Sequence, residues 1–145
     1  MRWCSYLRSY LAPARKSGLF DVWVDEHLPG GDTWKTTIDV KLQVCDICIL
    51  LASSNSLASD YIIDVEIAAM FRRKKSEDVH IFPIAISPFS TKAVPWLMEL
   101  VLRPKDGIPL SDLHPKDRNN AMVSIVDELV ELAAAIAKRK GPQSV

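Results

Sequence analysis

No apolar run in the chain reaches the roughly 18 residues that a membrane-crossing helix needs, so no membrane contact is expected. The opening Met1-Arg2-Trp3-Cys4-Ser5-Tyr6 lacks the apolar core and small-residue cleavage site of a secretory leader. Cysteine is scarce. Cys4, Cys45 and Cys48 are odd in number and too few for a disulfide framework, which favours a reducing, cytoplasmic setting. Excess charge of one sign is missing too: 18 Lys plus Arg cancel 18 Asp plus Glu, so a basic surface tracking nucleic acid is not expected. No repeat, linker or low-complexity tract interrupts the 145 residues, a length that suits one domain. Residues 1–140 read as that domain and 141–145 as a tail. With 48% apolar and 25% charged residues, the chain has the composition of a globular protein rather than a disordered one.

The order of elements follows from periodicity. Residues 2–16 carry Trp3, Tyr6, Leu7, Tyr10 and Leu11 at helical spacing, with Pro13 disturbing the end and Ser17-Gly18 as a stop. Phe20 to Asp25 alternates as a strand, and Leu28-Pro29-Gly30-Gly31 must be a loop. Asp32 is suited to cap a helix whose stripe is Trp34, Ile38, Leu42 and Cys45. Ile47 to Ala52 is apolar on both faces, the pattern of a strand buried in a parallel sheet. Ser53 to Ser56 reads as loop. A helix is expected from about Asp60 to Arg73, with Ile62, Val65 and Ala69 inward and a solvated basic end over Arg72 to Lys75. His80 to Ile86 is a second apolar strand, in which Pro83 is awkward because it removes a ladder donor. Residues 88–116 look irregular, with a short helix near Trp96 to Leu102. The last helix carries Met122, Ile125, Val126, Leu129, Ala133 and Ile136 on one stripe and ends at Lys138-Arg139-Lys140 before Gly141-Pro142.

Alternating helices and strands predict an α/β domain with a mainly parallel sheet. Ligands of such sheets sit beyond the carboxyl ends of the strands. Here those ends are 25–31, 53–59 and 87–89. Glu66 is the carboxylate of greatest interest. On a helical wheel it falls about 40° from the inward Ile62, at the rim of the buried face. A partly desolvated carboxylate is suited to act as acid, base or acceptor of ribose hydroxyls. The alternative is an exposed acid favoured by the helix dipole.

Other candidates carry less. Asp25-Glu26-His27 has no second histidine at metal spacing, so no metal site is expected. Gly30-Gly31-Asp32 has neither dinucleotide-fingerprint nor phosphate-loop spacing. Cys45-Asp46-Ile47-Cys48 ends a helix rather than starting one, unlike a redox pair, so both thiols read as small core residues. Ser54, Ser56 and Ser59 lack a nucleophile elbow.

Taken together, the segments resemble a TIR (Toll/interleukin-1 receptor) domain of the bacterial stand-alone type. Asp21 to Asp25 followed by Leu28 to Trp34 is similar to the family's second strand and BB loop. Leu42 to Ala52 resembles the third strand and the helix end before it. Ser53 to Tyr61 with Val65-Glu66 is similar to its serine-rich loop, aromatic position and helix glutamate. Ile81 to Ile86 resembles the fourth strand, and Pro109-Leu110 with the last helix its C-terminal part. The interval from Tyr61 to Glu66 is one residue longer than is usual in animal and plant members and suits bacterial ones. The Trp-x-Asp and Pro-Gly-Gly-Asp pieces favour this family over a response-regulator-like domain of the same fold.

The resemblance implies a flavodoxin-like fold, a parallel sheet of order 2-1-3-4-5 flanked by helices. The family's first strand is expected to precede residue 1, so the chain reads as N-terminally truncated. The resemblance also implies two jobs. One is NAD+ glycohydrolase: cleavage of the nicotinamide–ribose bond in signalling or antiphage defence, with NAD+ as substrate and no cofactor. Glu66 would be the catalytic residue, and Pro29, Gly30, Gly31, Asp32, Trp34, Ser59 and Tyr61 would contact the substrate. The other is a non-catalytic scaffold whose partners are other TIR domains, bound through the BB loop.

Overall fold

The computed structural model describes residues 3–19 and 46–140. The expected strand over 20–25, the Pro29–Trp34 loop and the helix after Asp32 lie outside the described residues. The described residues fall in two compact units, 3–19 with 113–140, and 46–112.

In the first unit, α1 spans Trp3–Lys16 and carries on past Pro13 to Arg15 and Lys16, whose charges suit a helix C-terminus. It ends because Gly18 takes a positive φ of 77°. The Leu19 amide then reaches back to the Ala14 carbonyl at 3.1 Å, and that of Gly18 to Arg15 at 3.0 Å. This reciprocal pair occupies carbonyls that the last turn would otherwise leave without partners. Leu7, Leu11 and Ala14 are buried. Trp3, Tyr6 and Tyr10 are half-buried instead and form an edge-to-face ladder, with ring centroids 6.0 and 5.2 Å apart.

The last helix, α4, spans Pro115–Lys140, so it starts within the stretch expected to be irregular. Proline is well suited to that first position, because its missing N–H would lack a helical partner anyway. The His114 Nδ1 accepts from the Lys116 amide at 3.3 Å. Met122, Ile125, Leu129 and Ile136 are buried, while Val126 and Ala133 are half-buried beside them. α1 and α4 pack together. The Tyr6 hydroxyl donates to Asn119 Oδ1, and the Arg118 guanidinium lies 5.7 Å from the Trp3 ring.

In the second unit, β1 (Ile47–Ala52) and β2 (His80–Ala85) pair in parallel, Ile47 opposite His80 and Ala52 opposite Ala85. Two adjacent parallel strands are what the order 2-1-3-4-5 requires of its third and fourth strands. Between them come a short helical turn, α2 (Ser54–Leu57), and a π-helical segment (Tyr61–Ile67) that runs straight into α3 (Ala68–Lys74). Leu50, Ala52, Val79 and Ile81 of the strand region form one buried cluster with Ile67 and Met70 of the helix and Val94 and Leu97 of the loop beyond.

Several expectations need correction. Ser53 to Ser56 is not loop. Ser53 caps α2, its hydroxyl accepting from the Ser56 amide at 3.2 Å, while Ser56 Oγ accepts from the Ser53 amide at 2.9 Å. The inward stripe of the following helix is Ile63, Ile67 and Met70; Val65 and Ala69, expected inward, are half-buried, and the side chain of Ile62 lies outside what is described. An apolar run this dense allows two stripes, and the one with larger side chains fills the core. Arg73 is not solvated with the basic cluster: it is largely buried and pairs with Glu77 at 3.0 Å. The short helix near Trp96 is a single 3-10 turn, Leu97–Glu99.

Pro83 is accommodated by the geometry of the ladder. The amides of His80 and Ile86 donate to Asp46 and Ala52, on the β1 side. Neighbouring residues of a strand point their backbone groups to opposite sides, so Pro83 faces away from β1. Its missing N–H therefore removes no β1–β2 bond. On that far side a lone bridge to Arg103 extends the sheet: the Arg103 amide donates to the Pro83 carbonyl at 3.0 Å, and the Ala85 amide donates to the Arg103 carbonyl at 2.7 Å.

Candidate functional site

The carboxyl ends of β1 and β2 open into the two segments where chemistry was expected, 53–59 and 87–89. They are joined: Ser54 Oγ donates to the Pro88 carbonyl at 3.4 Å. Ser56 ties the first of them down, its hydroxyl donating to the Leu51 carbonyl at 2.7 Å inside β1. The Ser111 amide donates to the Ile86 carbonyl at 3.0 Å, which fastens the turn Leu110–Asp112 beside the end of β2. Leu57 and Phe89 pack their side chains on the buried cluster. The rim of the sheet is thus held by polar contacts above and apolar ones below.

Ser59 is half-buried at the start of the helix, where its carbonyl accepts from the Ile63 amide at 3.0 Å. Tyr61 is the first residue of the π segment, and Glu66 its next-to-last. Glu66 is half-buried, and its Oε1 is withdrawn from solvent. It stands one residue before the buried Ile67 and four before the fully buried Met70, so its backbone is fixed by the core. On a wheel it lies about 40° from Met70, so the shift of the inward stripe leaves it at the rim.

Ser59, Tyr61 and Glu66 therefore belong to one stretch of chain, which follows the carboxyl end of β1. Pro29, Gly30, Gly31, Asp32 and Trp34 lie outside the described residues. Cys48 is half-buried within β1. Among the described residues no group of three His, Cys, Asp or Glu side chains converges as a metal site would require, and no helix is long and apolar enough to cross a membrane. Sequence reasoning missed the structural work of Ser53 and Ser56. The signal was available, since serines three apart ahead of a helical turn have the spacing of a reciprocal cap.

The family model described as TIR domain matches residues 2–126 of the chain. The chain belongs to the TIR family. Its strand order and the serine-rich segment between strand and helix agree with that assignment. The chain is also 25% identical, over 132 residues, to a protein of Sinorhizobium fredii (strain NBRC 101917 / NGR234) named uncharacterized protein y4lF. The match covers 91% of this chain and 40% of the relative, so the chain spans well under half of that protein's length. No solved structure matches the chain significantly.

Proposed function

We propose that this TIR domain is an NAD+ glycohydrolase in which Glu66 is the catalytic residue. The observation that carries this reading is a carboxylate with one oxygen withdrawn from solvent, on the helix that follows the carboxyl end of β1 and packs on the core. A carboxylate so placed is able to accept hydrogen bonds from the hydroxyls of the nicotinamide-side ribose. It also lies where positive charge develops as the glycosidic bond lengthens, and such charge is stabilised most strongly away from water.

The bond from the ribose anomeric carbon to the nicotinamide nitrogen breaks, and its electron pair goes to the ring nitrogen. The pyridinium charge is thereby neutralised, so the leaving group needs no proton. A water oxygen then bonds to the anomeric carbon and releases its proton, giving nicotinamide, ADP-ribose and H+. If a hydroxyl of the substrate replaces the water, the product is cyclic. Ser59 and Tyr61 contact the substrate from the start of the helix. Pro29, Gly30, Gly31, Asp32 and Trp34 cover it, and other TIR domains associate through the same loop.

The test is nicotinamide release from NAD+ by concentrated, folded protein, with Glu66→Ala and Glu66→Gln in parallel. Release that falls by about a hundredfold or more in both variants is the expected result, as for loss of a charge that stabilises the transition state. Folded protein that releases nothing overturns the glycohydrolase reading and leaves the scaffold reading, which binding to a second TIR domain then tests. Release that persists in Glu66→Ala moves catalysis to another residue.

A further inference from the structure

The helix that carries Glu66 changes its winding along its length. At its start the Ile63 amide bonds to Ser59, four residues back. At the junction with α3 the Ala68 amide is shared between the Ile63 carbonyl, five residues back, and the Val65 carbonyl, three residues back. A loop of five in place of four is how a helix takes in one residue more than α winding holds. The residues enclosed by that wider loop are Asp64 to Ile67. Of these, Ile67 is buried, Val65 and Glu66 are half-buried, and Asp64 alone is exposed.

We infer that Asp64 is an inserted residue, absorbed as a π-helical turn, and that this turn keeps positions 61 and 66 in register on one face of the helix. In α winding, residues five apart point about 140° away from each other. In π winding they stack one turn apart, as residues four apart do in an α-helix. Removing Asp64 leaves Tyr61 and Glu66 four apart, which α winding again places on one face. It leaves Ile63 and Ile67 three apart, also neighbours in an α-helix. The core stripe and the 61/66 pair thus both survive the deletion. The use of this register in catalysis rests on the glycohydrolase reading; the register itself does not.

One experiment reads the register without activity. Histidines one turn apart on a helix face chelate zinc, and an ion that binds the folded state alone raises Tm. The double variant Tyr61→His/Glu66→His is expected to gain about 4 °C or more in saturating Zn2+ over its own metal-free sample. Tyr61→His and Glu66→His alone are expected not to move. A folded double variant that gains no more than the single ones overturns the inference.

A second experiment covers the case in which the double variant does not fold. Protein lacking Asp64 is expected to melt within about 3 °C of the parent, like the control Asp64→Ala, because an exposed side chain contributes little. Nicotinamide release is expected within about threefold of the parent. One Ala inserted after Asp64 is expected to lower both sharply, since neither winding then restores the pair. A deletion variant that unfolds, or that loses release by more than about tenfold while Asp64→Ala keeps it, overturns the inference. If the parent itself releases no nicotinamide, the glycohydrolase reading fails alone, and the zinc and melting results still decide the register.

Discussion

Arg103 holds β2 by its backbone and its side chain at once, and Pro83 is the residue that receives the backbone grip. The Arg103 amide donates to the Pro83 carbonyl at 3.0 Å, while the Arg103 guanidinium sits 4.1 Å from the centroid of Phe82, the residue next to Pro83. Phe82 is only 2% exposed, so the cation covers a ring that is otherwise withdrawn from water. A proline on the far side of a ladder and an arginine that bridges there are two parts of one arrangement.

Removing that guanidinium leaves the backbone bridge intact and uncovers the ring. Arg103→Ala is expected to cost about 1–2 kcal/mol in urea unfolding, the range for a partly desolvated cation–π contact plus the packing of the side-chain stem. Arg103→Lys is expected to fall between the two proteins, because an ammonium keeps the charge but not the flat stacking surface. An Arg103→Ala protein as stable as the parent would refute the contact's contribution.

The Ser53–Ser56 pair makes a sharper contrast. Ser56 Oγ accepts from the Ser53 amide and donates to the Leu51 carbonyl, so Ser56→Ala leaves two backbone groups without that partner. The expected cost is about 1–2 kcal/mol. Ser53→Gly keeps the backbone of a cap and is expected to cost only a few tenths of a kcal/mol by the usual ranking of cap residues. Thermal melts of the two variants check the order; Ser53→Gly melting below Ser56→Ala would reverse it.

Much of this was legible in the sequence, and what was missed has physical causes. The two apolar strands announced themselves because a strand buried on both faces carries no polar alternation to confuse it. β2 is buried on both, and Ile84 and Ala52 have almost no exposure. α4 was equally plain, since its stripe repeats over several turns. The inward face around Met70 differs from the expected one because Ala69-Met70 is an adjacent apolar pair, and spacing alone does not choose between neighbours. The π winding at Glu66 was invisible: helix propensities describe single residues, whereas an insertion is a relation between two anchored ends. Arg73 was read as solvated because it belongs to a basic run, yet tertiary position decides which member of such a run turns inward. The family assignment survived these local errors since it rests on the order of several segments.

The two candidate stripes of that helix make opposite forecasts. Met70 has no exposure, whereas Val65 is half-buried. Met70→Ala is expected to cost about 2–5 kcal/mol, because the cavity it leaves lies inside the cluster of Leu50, Ile67, Ile81 and Leu97. Val65→Ala is expected to cost well under half of that, in proportion to the smaller area it buries. Equilibrium denaturation settles the comparison, and equal costs would return the inward face to the stripe that the sequence first favoured.

The last forecast concerns alkaline pH and Tyr6. Burial pushes its phenol above the ordinary value of 10.0, and Tyr10 pushes the same way through a hydrogen bond and its own charge, against a smaller opposing pull from Arg118. A pKa raised in the folded state means that the unfolded chain loses this proton first. Below about pH 10 both states keep it, and the contribution to stability is whole. As pH rises past that value the unfolded state alone ionises, so stability falls, and the fall stops once folded Tyr6 has ionised as well. Tyr6→Phe has no proton to lose and is expected to show a shallower decline of Tm over this alkaline range, whatever its Tm at neutral pH. Parallel Tm profiles for the two proteins would mean that the hydroxyl of Tyr6 ionises as freely in the folded chain as in water.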